Sequence, residues 1–134
     1  MYLSVNNRRY RDWMKRMLLR SAQEVATLVA SELDYIADRE RREALQAILI
    51  EPTLEHRTWE YGEEDMQYPC WLIARDPNGD VALAFSNYGH GDPWGRVLIG
   101  DQWFGMDSDW FSSLDDVFIF ALWRGPLPPG YEVS

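Results

Sequence analysis

The chain has little cysteine and no long apolar run, and both absences exclude classes of protein. Cys70 is its only cysteine, so an internal disulfide framework is excluded and a reducing compartment is expected. No apolar run approaches the ~20 residues that span a bilayer, and the first 13 residues lack the apolar core of a signal peptide. We therefore expect a soluble, cytoplasmic protein that does not bind membranes.

Positive charge is also scarce. The chain holds 13 Lys/Arg against 22 Asp/Glu, a net charge of −9, and residues 51–134 hold only four Arg against fifteen Asp/Glu. Six basic residues fall within the first 20 positions: Arg8, Arg9, Arg11, Lys15, Arg16 and Arg20. Such a distribution repels nucleic acid from most of the molecule. It favours a protein partner with a basic surface, or a homodimer that sets the basic segment against an acidic face.

The motifs of common enzyme classes are absent. The sequence has no P-loop, no G-x-G-x-x-G, no nucleophile elbow and no H-E-x-x-H. Asp107-Ser108-Asp109 and Asp115-Asp116 offer carboxylate oxygens to a divalent cation, but the EF-hand pattern of ligands is not met. Carboxylates before or within the first turn of a helix are explained more simply by the helix dipole. We therefore expect neither a metal nor another cofactor.

The first half of the chain has the periodicity of helices. Apolar side chains recur at helical spacing over residues 10–18, and Ser21-Ala22-Gln23-Glu24 fits a capping box that starts a second helix. The apolar stripe then continues to Leu49, as one long helix or as two with a kink near Ala37, and Pro52 is expected to end it. Residues 1–52 are thus predicted to form a helical layer.

The second half is predicted to form a sheet followed by one helix. Strands are expected at residues 57–61, 69–75, 81–86 and 94–99, with a short fifth at Trp103-Phe104. Residues 76–80 predict a hairpin turn in which Asn78-Gly79 supplies a positive φ. A final helix is expected from Ser112 or Ser113. The prediction is a single α+β domain over residues 1–134. N-terminal helices pack on a four- to five-stranded antiparallel sheet, and residues 56–134 supply the sheet and the C-terminal helix.

Two residues are candidates for catalysis. Cys70 lies in an apolar strand, where a thiol is usually structural. His90 lies between Gly89 and Gly91, and we predict a tight turn that leaves its imidazole exposed. The alternative is a small hydrolase or transferase in which His90 is the base and Asp92 orients it.

Aromatic residues are abundant, and their position is more informative than their number. Six of seven tryptophans follow residue 58 and are interleaved with the excess of acidic residues. Aromatic rings supply contact area and attract cations, while carboxylates bind Arg and Lys. The segment from Trp103 to Phe111 is therefore the centre of the predicted partner-binding site, whose residues are Asp92, Trp103, Asp107, Asp109, Trp110, Asp115 and Asp116.

Four segments carry a resemblance to known proteins. Trp59-Glu60-Tyr61-Gly62, Cys70-Trp71, the stretch Gly89-His90-Gly91-Asp92-Pro93-Trp94-Gly95 and residues 105–111 resemble small bacterial proteins of an uncharacterised family. Some of those resemble immunity proteins encoded beside polymorphic or contact-dependent toxins. The resemblance covers residues 56–124 and implies a stoichiometric inhibitor that blocks a basic toxin domain. A structural homo-oligomer joined through the basic N-terminal segment remains an alternative, as does the hydrolase.

Overall fold

A computed structural model describes residues 21–88 and 90–131, and these ranges contain three helices and a five-stranded antiparallel sheet. The helices are α1 (Ala22–Asp34), α2 (Arg39–Ile48) and α3 (Leu114–Ala121). The strands are β1 (Leu49–Arg57), β2 (Tyr68–Arg75), β3 (Val81–Phe85), β4 (Trp94–Leu98) and β5 (Trp110–Phe111), in the spatial order β1-β2-β3-β4-β5. The predicted α+β class is confirmed. The helix predicted over residues 10–18 lies outside the described residues.

Each described helix begins at a side-chain cap. The Ser21 hydroxyl accepts from the Glu24 N–H at 3.1 Å while the Glu24 carboxylate accepts from the Ser21 N–H, which is the predicted capping box. Asp38 caps α2, and Ser113 caps α3 by accepting from the Asp116 N–H. Because Asp38 starts a new helix, α1 and α2 are two separate helices.

The boundary between the helices and the sheet differs from the prediction. The expectation that helix continues to Pro52 is wrong, because α2 ends at Ile48 and β1 begins at Leu49. Proline is tolerated within β1 because this strand lies at the edge of the sheet and its pairing is irregular between Leu49 and Thr53. The predicted strand at residues 57–61 therefore overlaps β1 only at Arg57.

The other strand predictions have mixed outcomes. The strands predicted at residues 69–75, 81–86 and 94–99 are confirmed as β2, β3 and β4. The predicted fifth strand is wrong, since Trp103 makes only an isolated bridge to Thr58 and β5 begins at Trp110. Residues 110 and 111 pair with β4 because the chain turns back after a short 3₁₀ helix at Asp107–Asp109.

The β2–β3 turn forms without the expected positive φ. Neither Asn78 nor Gly79 has one. Instead, the Gly79 N–H donates to the Asp76 carbonyl at 3.4 Å, and the Asp76 carboxylate accepts from the Asn78 N–H at 2.9 Å. Asp-Pro-Asn-Gly is the residue order typical of a type I turn, in which the glycine occupies the last position.

The two faces of the sheet are covered by different structures. Alternate strand residues point to opposite sides. On one side the strand residues Trp71, Ile73, Leu83, Phe85 and Trp94 pack against the three helices. On the other side lie Tyr68, Cys70, Leu72, Ala82, Ala84 and Val97, together with Phe104 and Trp110. We call residues 58–67, 86–93 (Gly89 excepted) and 99–109 the loop layer, because each segment packs side chains on this second face, among them Trp59, Tyr88 and Phe104.

Candidate functional site

Arg57, at the end of β1, holds the loop layer to the sheet. Its side chain is fully buried, and its guanidinium donates to the Trp103 carbonyl at 2.9 Å and to the Leu98 carbonyl at 3.0 Å. A third donation goes to the Glu55 carboxylate. Beside it, the Thr58 N–H donates to the Gln102 carbonyl and the Phe104 N–H donates to the Thr58 carbonyl. These bonds fix the backbone on both sides of Trp103.

His90 joins the three segments of the loop layer. Its side chain is only 4% exposed, and its ring centroid lies 5.9 Å from Trp59 and 6.3 Å from Tyr61. Its Nε2 lies 3.3 Å from the Gly105 carbonyl, to which only a protonated nitrogen can donate. Nδ1 lies 3.5 Å from a carboxylate oxygen of Asp107.

The prediction of an exposed imidazole is therefore wrong. The aromatic residues that enclose His90 come from segments about 20 to 30 positions away, so the local Gly-His-Gly pattern carried no sign of them. The carboxylate beside the ring belongs to Asp107 and not to Asp92. In this arrangement His90 stabilises the loop layer.

Two of the predicted contact residues serve the internal structure of the loop layer. Trp110 is buried and donates from its indole N–H to the Phe104 carbonyl at 2.7 Å. Its ring lies directly over Gly95, where a Cβ would overlap the indole. The Asp109 carboxylate accepts from the Met106 N–H at 3.0 Å and lies 3.7 Å from Arg96. Both side chains thus hold the turn that precedes β5.

Two further predicted residues lie with the helices. Asp115, in the first turn of α3, accepts two hydrogen bonds from Arg41 of α2, at 2.8 and 2.9 Å. Hydrogen bonding to Asp115 is the main reason that the pKa of Arg41 is raised. The Asp116 carboxylate accepts from the Tyr131 hydroxyl at 3.4 Å. Neither residue belongs to the loop layer.

The remaining three predicted residues are exposed in the loop layer. Trp103 is 44% exposed, the Asp107 side chain is 83% exposed, and Asp92 is exposed close to His90 in the chain. Tyr61 and Met106, which sequence reasoning did not select, are exposed by 71% and 69%. We call Tyr61, Asp92, Trp103, Met106 and Asp107 the aromatic–acidic surface. In the sequence, the position of Tyr61 within the acidic run of residues 60–65 could have identified it as a contact residue.

The loop layer is acidic throughout. It contains eight Asp/Glu and no Lys or Arg, and seven of the eight carboxylates are exposed. The exception is Asp109, which faces Arg96 and is largely covered. Charges of one sign gathered in this way create a negative potential that attracts cationic molecules.

Cys70 lies beneath the loop layer as an inert side chain. It is fully buried, and this burial raises the pKa of its thiol to about 12, so the nucleophilic thiolate is not formed near neutral pH. Within residues 21–88 and 90–131, no group of three or more His, Cys, Asp or Glu is placed to hold a metal ion. No helix in the same ranges combines the length and the apolar character needed to cross a membrane.

Comparisons with known proteins add no family assignment. No protein-family model matches the chain, and no curated protein or solved structure is significantly similar to it. The function therefore has to be inferred from the aromatic–acidic surface and the residues that support it.

Proposed function

We propose that this protein is a non-enzymatic inhibitor of the immunity type, which binds a basic toxin domain through its aromatic–acidic surface. The observation that carries the proposal is the composition of the loop layer, whose segments contain exposed Trp103, Tyr61 and Met106 together with eight Asp/Glu and no Lys or Arg. The rings offer apolar area and π faces to cationic side chains, and the carboxylates pair with Arg and Lys.

The contacts that hold Trp103 and Asp107 in place favour tight binding. The Trp103 backbone is held by Arg57 and by the Thr58 pairing before any partner arrives. The turn that presents Asp107 is held by the Asp109 carboxylate, and His90 packs behind it. A surface that is already ordered loses less conformational entropy on binding, so more of the contact energy appears as affinity.

A few contacts of this chemistry are enough for the affinity of an inhibitor. Nanomolar affinity corresponds to about −12 kcal/mol, and a few desolvated aromatic and charged contacts at roughly 2–4 kcal/mol each dominate such a value. Negative potential also speeds the encounter with a basic protein, and salt screens this effect. Inhibition by occlusion needs no chemistry on the inhibitor, which accords with a buried His90 and an unreactive Cys70.

The test is binding to the toxin domain encoded beside the gene for this protein, measured by calorimetry and stopped-flow fluorescence. We expect the double variant Trp103→Ala, Asp107→Asn to bind about 100-fold more weakly or worse, since two such contacts carry roughly 3 kcal/mol or more. The matched control is Tyr35→Ala, Asp34→Asn, which removes an exposed ring and an exposed carboxylate at the end of α1. Its affinity should equal that of the natural protein.

Three results would count against the proposal. A gene neighbourhood without a toxin, or a neighbouring toxin domain that does not bind, would overturn the immunity assignment. Equal losses in the two double variants would show that the aromatic–acidic surface is not the contact. An association rate that is the same at low and high salt would remove the electrostatic part.

A further inference from the structure

A cleft opens where the β2–β3 turn meets the C-terminal ends of α2 and α3. It encloses about 350 Å³, which falls within the ~300–1,000 Å³ typical of small-molecule sites. Ala44 and Ile48 line it from α2, and Phe118 and Leu122 line it from the α3 side. Each pair is spaced four residues apart, so each helix end presents one apolar stripe to the cleft. No residue of the loop layer takes part.

Trp123, which follows α3, also lines the cleft, and its side chain is held in place by the protein. Its indole N–H donates to the Pro126 carbonyl at 2.9 Å, and its backbone N–H donates to the Phe118 carbonyl at 2.9 Å. The ring lies against Gly125, where a Cβ would overlap it, and its centroid is 6.0 Å from that of Phe118. Two fixed rings of this kind favour an aromatic ligand, because little conformational entropy is lost when it binds.

Two charges of opposite sign line the same cleft. Asp76 is half-buried in the β2–β3 turn, and Arg124 is exposed after α3. Among the described residues neither of them forms an ion pair. One oxygen of the Asp76 carboxylate accepts from the Asn78 N–H at 2.9 Å. The Arg124 guanidinium donates to the Trp123 carbonyl at 3.2 Å and to the Ala121 carbonyl at 3.5 Å, and it has further N–H donors beyond these two bonds.

We propose that this cleft binds a free aromatic amino acid as its zwitterion. The ammonium group of the ligand pairs with Asp76, its carboxylate pairs with Arg124, and its ring lies beside Trp123. Because the two protein charges do not pair with each other, a ligand that carries both signs binds both of them. A ligand with only one charge leaves one protein charge without a partner and meets the other beside its own sign. This binding does not depend on the function proposed for the aromatic–acidic surface.

The first test is a titration of the full chain, labelled with ¹⁵N and followed at the indole N–H of Trp123. The probe is L-phenylalanine, which should bind with a Kd of ~1 mM or tighter. Phenethylamine lacks the carboxylate and 3-phenylpropionate lacks the ammonium group, so each should bind about 10-fold more weakly. Equal affinities for the three compounds, or no shift of the Trp123 signal at about 10 mM L-phenylalanine, would overturn the proposal.

Two substitutions assign the charges. Arg124→Gln should weaken the binding of L-phenylalanine about 10-fold and leave that of phenethylamine unchanged. Asp76→Asn keeps an oxygen that accepts from the Asn78 N–H, so the turn is retained. It should weaken L-phenylalanine by a similar factor and leave 3-phenylpropionate unchanged. Binding of L-phenylalanine that neither substitution alters would show that the two charges do not contact the ligand and would overturn the proposal.

A matched pair of substitutions on α2 tests the place of binding without removing a charge. Ala44→Met extends a side chain into the cleft and should weaken the binding of L-phenylalanine at least about 10-fold. Ala47→Met is the control, because Ala47 is exposed on the same helix and does not line the cleft. Its affinity should equal that of the natural protein. Equal affinities in the two variants would place the ligand elsewhere and overturn the proposal.

Discussion

The two faces of the sheet are stabilised in different ways. The helix-covered face is filled by regularly spaced aliphatic and aromatic side chains, such as Val25, Leu45 and Val117. The loop-covered face combines apolar packing with bonds from side chains to backbone carbonyls, made by Arg57 and Trp110.

The difference follows from how the covering structure on each face pairs its backbone N–H and C=O groups. A helix pairs its own N–H and C=O groups, so a covering helix needs only an apolar stripe. An irregular loop leaves carbonyls unpaired, and buried side-chain donors must satisfy them. The loop-covered face is therefore more sensitive to single polar changes, and it is also the face that presents exposed Trp103 and Asp107.

The largest effect is expected at Arg57. Arg57→Met leaves the Leu98 and Trp103 carbonyls without their donor and should lower the free energy of unfolding by about 3–5 kcal/mol. The control on the other face is Leu45→Met, which keeps an apolar side chain of similar volume and should cost less than about 1.5 kcal/mol. Urea unfolding measures both. Equal losses would mean that the loop layer does not depend on the guanidinium.

Gly95 tests the close approach of Trp110 to β4. Gly95→Ala places a methyl group against the indole and should cost about 1–3 kcal/mol, because the buried ring has no space to move. Gly79→Ala is the matched control, since its nearest neighbour is the flexible Asp76 side chain, and it should change the stability by less than about 1 kcal/mol. Thermal unfolding distinguishes them. A tolerated Gly95→Ala would show that the loop layer is loosely packed.

Two aspartates test whether stability and binding are separate. Asp115→Asn weakens the paired bond to buried Arg41 and should cost about 1–2 kcal/mol of stability, with binding of the proposed partner unchanged. Asp107→Asn changes an exposed carboxylate and should alter stability by no more than about 0.5 kcal/mol while weakening binding. Unfolding and partner binding are measured for both variants, and the results show whether stability and binding change independently. Loss of binding in Asp115→Asn would extend the contact surface to the helices.

The titration of Cys70 has no effect on stability near neutral pH, and its effect appears only at high pH. Burial raises the pKa of its thiol from 9.0 to about 12, so the folded state binds a proton that the unfolded state releases. Stability from this group is complete below pH 9 and is lost as the pH rises towards 12. Unfolding of the natural protein and of Cys70→Ala should therefore show a steeper decline with pH in the natural protein. Identical slopes, or native thiol labelling at pH 8, would contradict this burial.

Sequence reasoning predicted the helix-covered face better than the loop-covered face. The sequence predicted the capping box at Ser21, the start of α3 and strands β2 to β4, because their signals lie within a few residues. The edge strand β1 was missed because Pro52 and the apolar spacing before it indicate a helix end, and only pairing with β2 favours a strand. For the candidate site, the sequence predicted the segment from Trp103 to Phe111. Within this segment Trp110 is buried, and the exposed Tyr61 lies outside it.

The amino-acid sequence alone determined the α+β class and the excess of negative charge in the second half, and it placed Cys70 in an apolar strand. Composition and short-range periodicity express these properties directly. The tertiary structure decided which rings and carboxylates reach the surface. That choice depends on contacts such as the one from Arg57 to the Trp103 carbonyl, across 46 positions of the chain, and on the enclosure of His90 by Trp59 and Tyr61. Such contacts have no local pattern, because they form only after the sheet has brought distant segments together.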